Sequence, residues 1–296
     1  MVQPAFLDLL AEAARDVDTN LTDILDGPEV AHIGLGDAMS YASVNGGKRL
    51  RAFLCLATAQ LFNAPRESAI RVASAIEVVH AYSLVHDDLP SMDDDDMRRG
   101  KPSLHKATSE ATAILAGDAL LTLAFTILSD KATSTDAETR IELVAGLARA
   151  AGAAGMVAGQ AYDMQTNRPD DQATLIKVHA LKTGALIKFS VEAAAIIGGA
   201  SKKDRMRLIA YAENLGLAFQ VTDDVLDVIG DESKIGKSKG KDKVLNKLTF
   251  VSVYGLQAAR DHARLYAEQA LESISSFGGE AAPLRQAVAF VIGRES

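Results

Sequence analysis

The chain has little cysteine and little proline. Cys55 is the only cysteine among 296 residues, so an internal disulfide and a cysteine-based zinc site are both excluded. Only seven prolines interrupt the sequence, and apolar residues recur at steps of three and four, as in Leu208, Ala212 and Leu215. Alternating strand patterns are scarce, and no Pro/Ser/Gly-rich linker divides the chain. The pattern predicts an all-α protein that forms a single domain across all 296 residues.

Long hydrophobic runs and a basic leader are also missing. The opening segment MVQPAFLDLLAEAARD carries acidic charge and lacks the basic region and apolar stretch of a secretory signal. The most apolar later stretch, AAAIIGGA at 193–200, is too short to cross a bilayer. A lone thiol fits a reducing compartment. These features predict a soluble, cytoplasmic chain with no membrane span.

Positive charge is in deficit as well. The formal net charge is -8 and the isoelectric point is near 5.3, so the chain repels polyanions on average and can bind one only at a local basic patch. The lysine-rich segment 234–243 has no interleaved aromatic residues, which argues against a nucleic-acid partner. Apolar residues make up 48% of the chain, enough for a folded core, so gross disorder is not expected.

Acidic residues concentrate in two places, and the first is the run HDDLPSMDDDD. Pro90 is expected to end or kink the preceding helix, which places Asp87 in its last turn on the same face as His80 and Ser83. Carboxylates at a helix C-terminus oppose the helix dipole, so this arrangement suggests a compensating cation. Asp93 lies in the following loop and could fold back toward Asp87.

The second acidic run is DDVLD, in which Asp223 and Asp227 lie one helical turn apart. Both continue the apolar stripe of Leu208, Ala212 and Leu215, and carboxylates on a core-facing stripe are costly unless charge compensates them. Oxygen ligands of this kind suit Mg²⁺, which commonly bridges carboxylates to substrate phosphates. The alternative is a solvated acidic surface, the usual state of such runs. The solvated-surface alternative is less favoured here, because both runs end apolar helices and both are followed by basic residues.

Basic segments accompany the acidic ones. GGKRLR at 46–51 opens an apolar helix after a break and could hold an anion near the helix N-terminus. RRGK at 98–101 follows the first acidic run, GKSKGK at 236–241 follows the second, and KTG at 182–184 interrupts an apolar stretch. This order suits a diphosphate chelated through metal on one side and gripped by Lys or Arg on the other. The GxxxxGK[ST] spacing is absent, so GGK is not a P-loop.

Taken together, these motifs resemble those of the short-chain trans-isoprenyl diphosphate synthases, the bacterial farnesyl diphosphate synthases in particular. GGKRLR, HDDLPSMDDDDMRRGKPS, KTG, FQVTDDVLD and the spaced GK, GKD and K-x-T of 236–249 carry the resemblance, in that order along the chain. Two departures occur. Ala52 stands where family members often have proline after GGKRLR, and Phe250 with Val251 stands where they often have Tyr-Pro.

The resemblance implies a helical fold around a deep central cavity, usually in a homodimer, with carboxylates and cations meeting across that cavity. It also implies three Mg²⁺ ions per active site. The implied metal ligands are Asp87, Asp88, Asp93, Asp223 and Asp227. The implied contacts of the allylic diphosphate are Arg98, Lys182, Thr183, Gln220 and Lys237, and those of isopentenyl diphosphate are Lys48, Arg51, His80 and Arg99. The implied catalytic set is Asp87, Asp93, Arg98, Lys182 and Asp223.

The implied activity is head-to-tail condensation of isopentenyl diphosphate with dimethylallyl and geranyl diphosphate to give farnesyl diphosphate. Two alternatives stay open: the same chemistry with geranylgeranyl diphosphate as product, and a helical metal-binding partner subunit without turnover. A terpene cyclase would share the first aspartate motif but typically not an intact DDVLD. Gln220, Thr183 or the carbonyl of a nearby turn could stabilise the allylic cation, and the sequence leaves that choice open.

Product length is expected to depend on Tyr82 and Ser83. Tyr82 precedes Asp87 by five residues, about 7–8 Å along a helix at roughly 1.5 Å per residue. A bulky residue at that position accompanies short products in the family, so the Tyr82 ring could form the floor of the pocket and stop growth at the farnesyl length. Simple core packing is the alternative. A structural role is the default for His86, His105, His179 and His262.

Overall fold

Helices dominate the structure, a computed structural model that describes residues 4–27, 34–44, 46–165, 167, 169, 171–229 and 248–294. Within this part of the chain the only strands are Met97–Arg98 and Lys101–Pro102, which pair antiparallel. The all-α prediction is therefore confirmed. Contacts group the chain into two compact units: an N-terminal unit, Leu7–Ala145 with Ile196–Gly198, and a C-terminal unit, Gly146–Ala195 and Gly199–Ser296 with Met1–Phe6.

The following elements lie wholly or mostly in the N-terminal unit: α1 (Pro4–Leu25), α2 (Leu35–Ser43), α3 (Leu50–Leu61), α4 (Arg66–Asp87), β1 (Met97–Arg98), β2 (Lys101–Pro102), α5 (Leu104–Ala107), α6 (Glu110–Ser129) and α7 (Ala137–Ala151). The following lie wholly or mostly in the C-terminal unit: α8 (Met156–Asp163), α9 (Gln172–His179), a π-helical turn (Ala180–Gly184), α10 (Ala185–Ile197), α11 (Lys202–Ile229), α12 (Phe250–Tyr254), α13 (Leu256–Ser273), a 3₁₀ segment (Ser275–Ala281) and α14 (Ala282–Ile292).

Helix α4 forms the centre of the N-terminal unit. Its residues Val72, Ile76 and Val79 are fully buried, and the helix packs against α3 and α6. Because protein surrounds α4, apolar residues cover most of its circumference rather than one stripe. The helix ends at Asp87, with Asp88 as its C-cap, so the helix end predicted near Pro90 is confirmed.

Helix α11 has the matching position in the C-terminal unit. Leu208, Ala212 and Leu215 are fully buried, so the predicted apolar stripe is confirmed, and α11 packs against α13 and α14. The hydroxyl of Tyr211 donates to the carbonyl oxygen of Leu284 at 2.8 Å and ties α11 to α14. The stripe leads into DDVLD because steps of three and four residues return to the same helix face.

Small residues hold the KTG segment in place. KTG ends the π-helical turn that joins α9 to α10, and such turns are frequent at functional sites. A Cβ on Gly216 would lie 3.2 Å from the Cα of Gly184, and a Cβ on Gly159 would lie 2.1 Å from the backbone nitrogen of Lys182. The turn is therefore packed tightly against both α8 and α11, which fixes the backbone of Lys182.

Among the residues that the structure describes, three segments are long and apolar enough to cross a membrane, by length and composition alone: Arg66–Asp87, Glu110–Ser129 and Ala137–Asp163. In this structure 67% of the apolar window of the first is buried, against 39% and 33% for the other two. Arg66–Asp87 also buries Glu77, which pairs with Arg49 at 3.0 Å, as expected for a helix in a protein core. The expected absence of a membrane span stays a prediction.

Candidate active site

The loop of the first acidic motif is folded by its own backbone. Asp87 is the last residue of α4, and the N–H of Asp93 donates to the carbonyl oxygen of Asp87 at 2.8 Å. The N–H groups of Met92 and Asp94 donate to the carbonyl oxygen of Leu89 at 2.9 and 3.2 Å. The loop folds back as expected, and it brings Asp93 next to the end of α4.

Asp88 anchors Arg98 inside the N-terminal unit. Asp88 is buried, and Nε of Arg98 donates to its Oδ1 and Oδ2 at 3.0 and 3.2 Å, while Nη2 donates to Oδ1 as well. Burial raises the pKa of Asp88, and the hydrogen bonds and charge of Arg98 oppose that rise. A bidentate pair of this kind fixes the plane of the guanidinium. The sequence predicts Asp88 as a metal ligand. In this structure Asp88 instead holds Arg98, which is predicted to bind the allylic diphosphate.

A buried ion-pair network supports the GGKRLR loop. Arg49 donates through Nη1 to Oε2 of Glu77 at 3.0 Å, through Nη2 to Oδ1 of Asp18 at 2.5 Å, and to the carbonyl oxygen of Ser43. These bonds hold Arg49 at a φ of 49°, a left-handed conformation that side chains rarely adopt. The N–H of Ala52 donates to Oε1 of Glu77 at 3.1 Å. A proline has no N–H to donate, so the departure at Ala52 gives Glu77 one more donor.

Arg99 lies directly against the glycine turn of this loop. A Cβ on Gly46 would lie 2.3 Å from Nη1 of Arg99, and a Cβ on Gly47 would lie 2.6 Å from Nη2. Gly47 also has a φ of +76°, so glycine is needed there for the backbone as well as for space. Burial and the charges of neighbouring arginines, Arg49 foremost, lower the pKa of Arg99. The loop thus gathers more positive charge than the local carboxylates offset.

His80 lies within electrostatic reach of the arginines of this region. It lies half-buried on α4, where burial and then the charges of Arg51 and Arg99 hold its pKa well below the usual value. The hydroxyl of Ser83 donates to the carbonyl oxygen of His80 at 2.9 Å. The structure therefore groups three of the residues expected on isopentenyl diphosphate, and the fourth, Lys48, is exposed in the same loop. An anion bound here would relieve the mutual repulsion of the cations.

A small pocket of about 70 Å³, partly open to solvent, lies beside these cations in the N-terminal unit. Arg98, Arg99, Lys101 and Asp88 line its polar side, and apolar residues of α2 and α4 line the rest. This volume is well below the roughly 300–1,000 Å³ of sites that enclose a whole small molecule. An amphipathic anion matches this lining, because it carries charge at one end and an apolar body.

Tyr82 lies in the core close to the first acidic motif. Its ring meets that of His86 edge to face with 5.7 Å between centroids. His86 in turn lies in a space that Gly117 of α6 leaves open, where a Cβ would come within 2.1 Å of Nε2, and this nitrogen lies 3.1 Å from the carbonyl oxygen of Ile114. Burial and the charge of Asp87 raise the pKa of Tyr82. Tyr82 is therefore a packed residue and also within electrostatic reach of Asp87.

A further group that could hold a cation consists of Asp94, Asp96 and His105, whose ligand atoms lie within 4.8 Å of one another. His105 is buried, and its Nδ1 lies 3.1 Å from the hydroxyl of Ser103. The ammonium group of Lys106 already pairs with Oδ1 of Asp96 at 2.9 Å. Positive charge is thus present at this cluster without a metal ion.

The second acidic motif lies on α11 in the C-terminal unit. Asp223 and Asp227 are both half-buried, one turn apart. Arg294 donates through Nη2 to Oδ1 of Asp223, and its guanidinium lies over the ring of Phe219 at 4.5 Å from the centroid. Phe219 and Asp223 therefore share one face, as the periodicity predicts. A metal ion on Asp223 would compete with Arg294 for this carboxylate.

Asp224 has a different environment from its neighbours. It is buried, and its Oδ2 accepts the N–H of Phe250 at 2.7 Å, at the start of α12. Thr249 caps the same helix, and its partner Ser252 donates and accepts reciprocally in a capping box. Phe250 and Val251, which depart from the family pattern, thus lie in a properly capped helix start.

Lys182 and Thr183 occupy the π-helical turn and are half-buried. Nζ of Lys182 donates to Oδ2 of Asp163, the last residue of α8, at 2.7 Å. This contact extends the lysine in a fixed direction. Lys237, the other lysine expected on the allylic diphosphate, lies outside the described residues.

Gln220 contacts a histidine for which the sequence analysis indicated no specific role. Its Oε1 lies 3.1 Å from Nδ1 of His179, the last residue of α9. The His179 ring stacks on Phe250 with 5.8 Å between centroids and 17° between planes, and its Nε2 lies 3.5 Å from Oδ2 of Asp224. Gln220 is therefore connected to the start of α12 through one imidazole.

Sequence reasoning missed the supporting residues: Glu77, Asp163, His179 and Arg294. Glu77 was visible as a lone carboxylate within an apolar helix pattern, which predicts a buried ion pair. His179 lies three residues before Lys182, one helical turn away. For Asp163 and Arg294 no local pattern gives a signal, because their partners are distant along the chain.

The donor atoms present fit Mg²⁺. Asp87, Asp93, Asp223 and Asp227 offer only carboxylate oxygens, and all four are half-buried, which leaves access for the waters that Mg²⁺ retains. The hydrogen bonds of Arg98 engage both oxygens of Asp88, so Asp88 fits a supporting place better than direct ligation.

The comparisons with known proteins agree with this chemistry. The family model described as polyprenyl synthetase matches residues 34–284, and the chain belongs to that family. A farnesyl diphosphate synthase of Geobacillus stearothermophilus is 41% identical, over 100% of both chains. A geranylgeranyl diphosphate synthase of Cyanophora paradoxa is 41% identical over 88% of this chain and 87% of its own.

The solved structures are similar as well. The crystal structure of an FPP/GFPP synthase from Zymomonas mobilis aligns with a TM-score of 0.86 and 44% identity, over 97% of this chain and 99% of that one. The family expected from the motifs is therefore confirmed, and so is its all-helical fold class.

Proposed function

We propose that this chain is a farnesyl diphosphate synthase, a prenyltransferase that joins isopentenyl diphosphate head-to-tail to dimethylallyl and then geranyl diphosphate. The observation that carries the proposal is the full-length similarity to a farnesyl diphosphate synthase, together with two acidic motifs that each lie near basic side chains. Intact carboxylates and cations disfavour a partner subunit without turnover, because such a subunit could lose either set freely.

The residues that bind isopentenyl diphosphate lie in the N-terminal unit. Lys48, Arg51, His80 and Arg99 bind its diphosphate, and the low pKa of His80 keeps the imidazole neutral so that it acts as a hydrogen-bonding group among cations. The buried Arg49 network holds the loop in its binding conformation before substrate arrives. Such preorganisation avoids a reorganisation cost at the moment of reaction.

Carboxylates and further cations bind the allylic diphosphate. Asp87, Asp93, Asp223 and Asp227, with Asp88 in a supporting place, would hold up to three Mg²⁺ ions, which when bound withdraw negative charge from the leaving diphosphate. Arg98, Lys182, Thr183, Gln220 and Lys237 would contact the same diphosphate. Asp88 orients Arg98, and Asp163 orients Lys182.

The reaction has three steps. The allylic C–O bond breaks, and its electron pair leaves with the diphosphate. The double bond of isopentenyl diphosphate then attacks the allylic cation and forms the new carbon–carbon bond. A proton is finally lost to the departed diphosphate. The protein contributes positioning, charge stabilisation and exclusion of water rather than a covalent intermediate.

One experiment tests the activity and its alternatives. The chain is incubated with labelled isopentenyl diphosphate, dimethylallyl diphosphate and Mg²⁺, and the products are separated by chromatography after phosphatase treatment. We expect labelled farnesol, and no product when Mg²⁺ is removed by chelation. Absence of any prenyl alcohol from a folded sample would contradict the proposal, and a hydrocarbon product from a parallel incubation with farnesyl diphosphate would indicate a terpene cyclase.

Geranylgeranyl diphosphate is the second candidate product, because one relative of similar identity carries that name. We propose that Tyr82, with Ser83 beside it, limits the chain at the farnesyl length. Tyr82→Ala should shift the products to longer chains, and Tyr82→Phe should not, because the ring remains. Since Tyr82 is packed against His86, thermal unfolding of both variants checks that the fold survives. An unchanged product profile in a folded Tyr82→Ala variant would contradict this role.

We also propose that the chain is a single domain, works in the cytoplasm without a membrane span and forms a homodimer. Exposed apolar side chains on α6 and α7 support the dimer: Ile114 and Leu115 are 44% and 58% exposed, and Ile141 is 68% exposed. Self-association would remove such side chains from water. Light scattering should give twice the chain mass, and Leu115→Glu with Ile141→Glu should give the mass of one chain.

A further inference from the structure

One end of the Gln220 amide is already occupied. Its Oε1 lies 3.1 Å from Nδ1 of His179, and the structure shows no other hydrogen bond of this side chain within the residues it describes. An imidazole N–H donates and an amide carbonyl accepts. The NH₂ end, with two N–H donors, is therefore the end that Gln220 can offer to a bound molecule.

The His179 ring is held from several sides. It is buried and stacked on Phe250, whose N–H is in turn bound by Asp224. Nε2 of His179 is buried without a hydrogen-bond partner among the described residues, and its distance of 3.5 Å to Oδ2 of Asp224 is long for a hydrogen bond. An unsatisfied buried nitrogen is unusual. The unpaired Nε2 is expected here, because the single proton of a neutral imidazole lies on Nδ1 and is donated to Gln220.

We propose that His179 is a positioning residue: its Nδ1–H holds the carbonyl of Gln220 and thereby directs the amide NH₂ at an oxygen of the allylic diphosphate. This assignment rests on the proposed prenyl transfer. It decides between two roles that the sequence left open for Gln220, because the carbonyl that would stabilise a carbocation is already bound to His179.

The substitution Gln220→Glu separates the two roles. It keeps the size and an oxygen acceptor but replaces the NH₂ donors with a negatively charged oxygen. If the NH₂ faces the diphosphate, repulsion should raise the KM for the allylic substrate by at least about tenfold, with the KM for isopentenyl diphosphate changed less than about twofold. Retained or increased activity of Gln220→Glu would overturn the proposal, since a carboxylate stabilises a cation well.

Variants of the histidine test the hydrogen bond itself. His179→Phe keeps an aromatic ring on Phe250 but removes the donor, and it should reproduce most of the tenfold rise in allylic KM. His179→Asn places an amide N–H near the position of Nδ1 and should restore part of the affinity. His262→Phe is the matched control, because His262 packs on the same Phe250 ring at 5.7 Å and should leave both KM values unchanged. Equal effects of His179→Phe and His262→Phe would overturn the proposal.

A double-mutant cycle distinguishes positioning from packing. If His179 acts through Gln220, His179→Phe should add almost nothing to Gln220→Leu, whereas independent roles give additive losses. Additive losses, or a loss that follows thermal stability alone, would overturn the proposal.

A measurement without substrates keeps this inference separate from the proposed function. In NMR spectra of the side-chain amides, His179→Phe should shift the NH₂ signals of Gln220, and His262→Phe should not. Unshifted signals would overturn the positioning role whatever the activity. If the signals shift but the native chain makes no prenyl product, the hydrogen bond stands and the proposed function fails.

Discussion

The two acidic motifs place carboxylates by different means. Asp87 and Asp93 are brought together by a loop whose backbone folds back, with the N–H of Asp93 on the carbonyl of Asp87. Asp223 and Asp227 need no such loop, because one helical turn already places them on one face of α11. The first motif therefore depends on a tertiary turn and the second on helix periodicity.

The cations near the two motifs differ in the same way. In the N-terminal unit Arg98 is fixed by a buried carboxylate, Asp88, and Arg99 by a glycine turn. In the C-terminal unit Arg294 contacts the expected metal ligand Asp223 itself. The cations near the first motif are held by other groups beside it, whereas the cation near the second motif is paired with a carboxylate that is itself expected to bind metal.

The largest effect is expected from the carboxylates themselves. Asp87→Ala should lower kcat by at least about 10³-fold, and Asp223→Ala by about 10²-fold, because Arg294 already offsets part of the charge of Asp223. The loop of the first motif should survive, since its closing hydrogen bond is made by backbone atoms. Circular dichroism and thermal unfolding check the fold. Asp118→Ala, an exposed aspartate on α6, serves as control, and near-normal activity of Asp87→Ala with Mg²⁺ would contradict the assignment.

A smaller loss should follow when Arg98 loses its anchor. Asp88→Asn keeps the size but weakens the bidentate pair, so kcat/KM for the allylic substrate should fall about 10- to 100-fold. Asp95→Asn weakens a contact of 3.5 Å to the same guanidinium and should cost less than about threefold. Steady-state kinetics with dimethylallyl diphosphate measures both. Equal losses in the two variants would mean that Asp88 has no special part in holding Arg98.

Removal of Arg294 should change the metal requirement. Arg294→Gln frees Oδ1 of Asp223 from an ion pair, so the Mg²⁺ concentration for half-maximal activity should fall about two- to fivefold. A Mg²⁺ titration of the rate measures it, with Arg285→Gln of the same C-terminal region as control. A higher Mg²⁺ requirement would show that Arg294 supports the metal site instead of competing with it.

The smallest effect concerns pH. The pKa of His80 is lowered in the folded chain, so below about pH 6.5 the unfolded chain takes up a proton there while the folded chain does not. The stability that neutral His80 contributes is present above that pH and is lost as pH falls. Between pH 7 and 5.5, the native chain should lose about 1 kcal/mol more unfolding free energy than His80→Gln. Urea unfolding of both chains measures this, and parallel pH curves would contradict it.

Local patterns were sufficient for the helical class and for the second motif. The stripe from Leu208 to Leu215 and its continuation into DDVLD follow from the helical repeat, and all three apolar members of that stripe are buried. The end of α4 was predictable because Pro90 cannot continue a helix. The fold-back of Asp93 was only a possibility until the backbone hydrogen bonds closed the loop.

Supporting contacts could not be predicted because they join distant parts of the chain. Arg49 meets Glu77 and Asp18 across separations of 28 and 31 residues, and Gln220 meets His179 across 41. No helical or strand repeat relates such positions. The space for Arg99 and His86 likewise depends on glycines in other segments.

Sequence alone determined the helical class, the family and the residue types available to bind metal and diphosphate, because these depend on short-range periodicity and on motif chemistry. Tertiary structure decided how each of these side chains is held: Arg98 by Asp88, Lys182 by Asp163 and Gln220 by His179. The physical reason is that a hydrogen bond depends on distances of about 3 Å between atoms, and only the folded chain brings such remote residues that close.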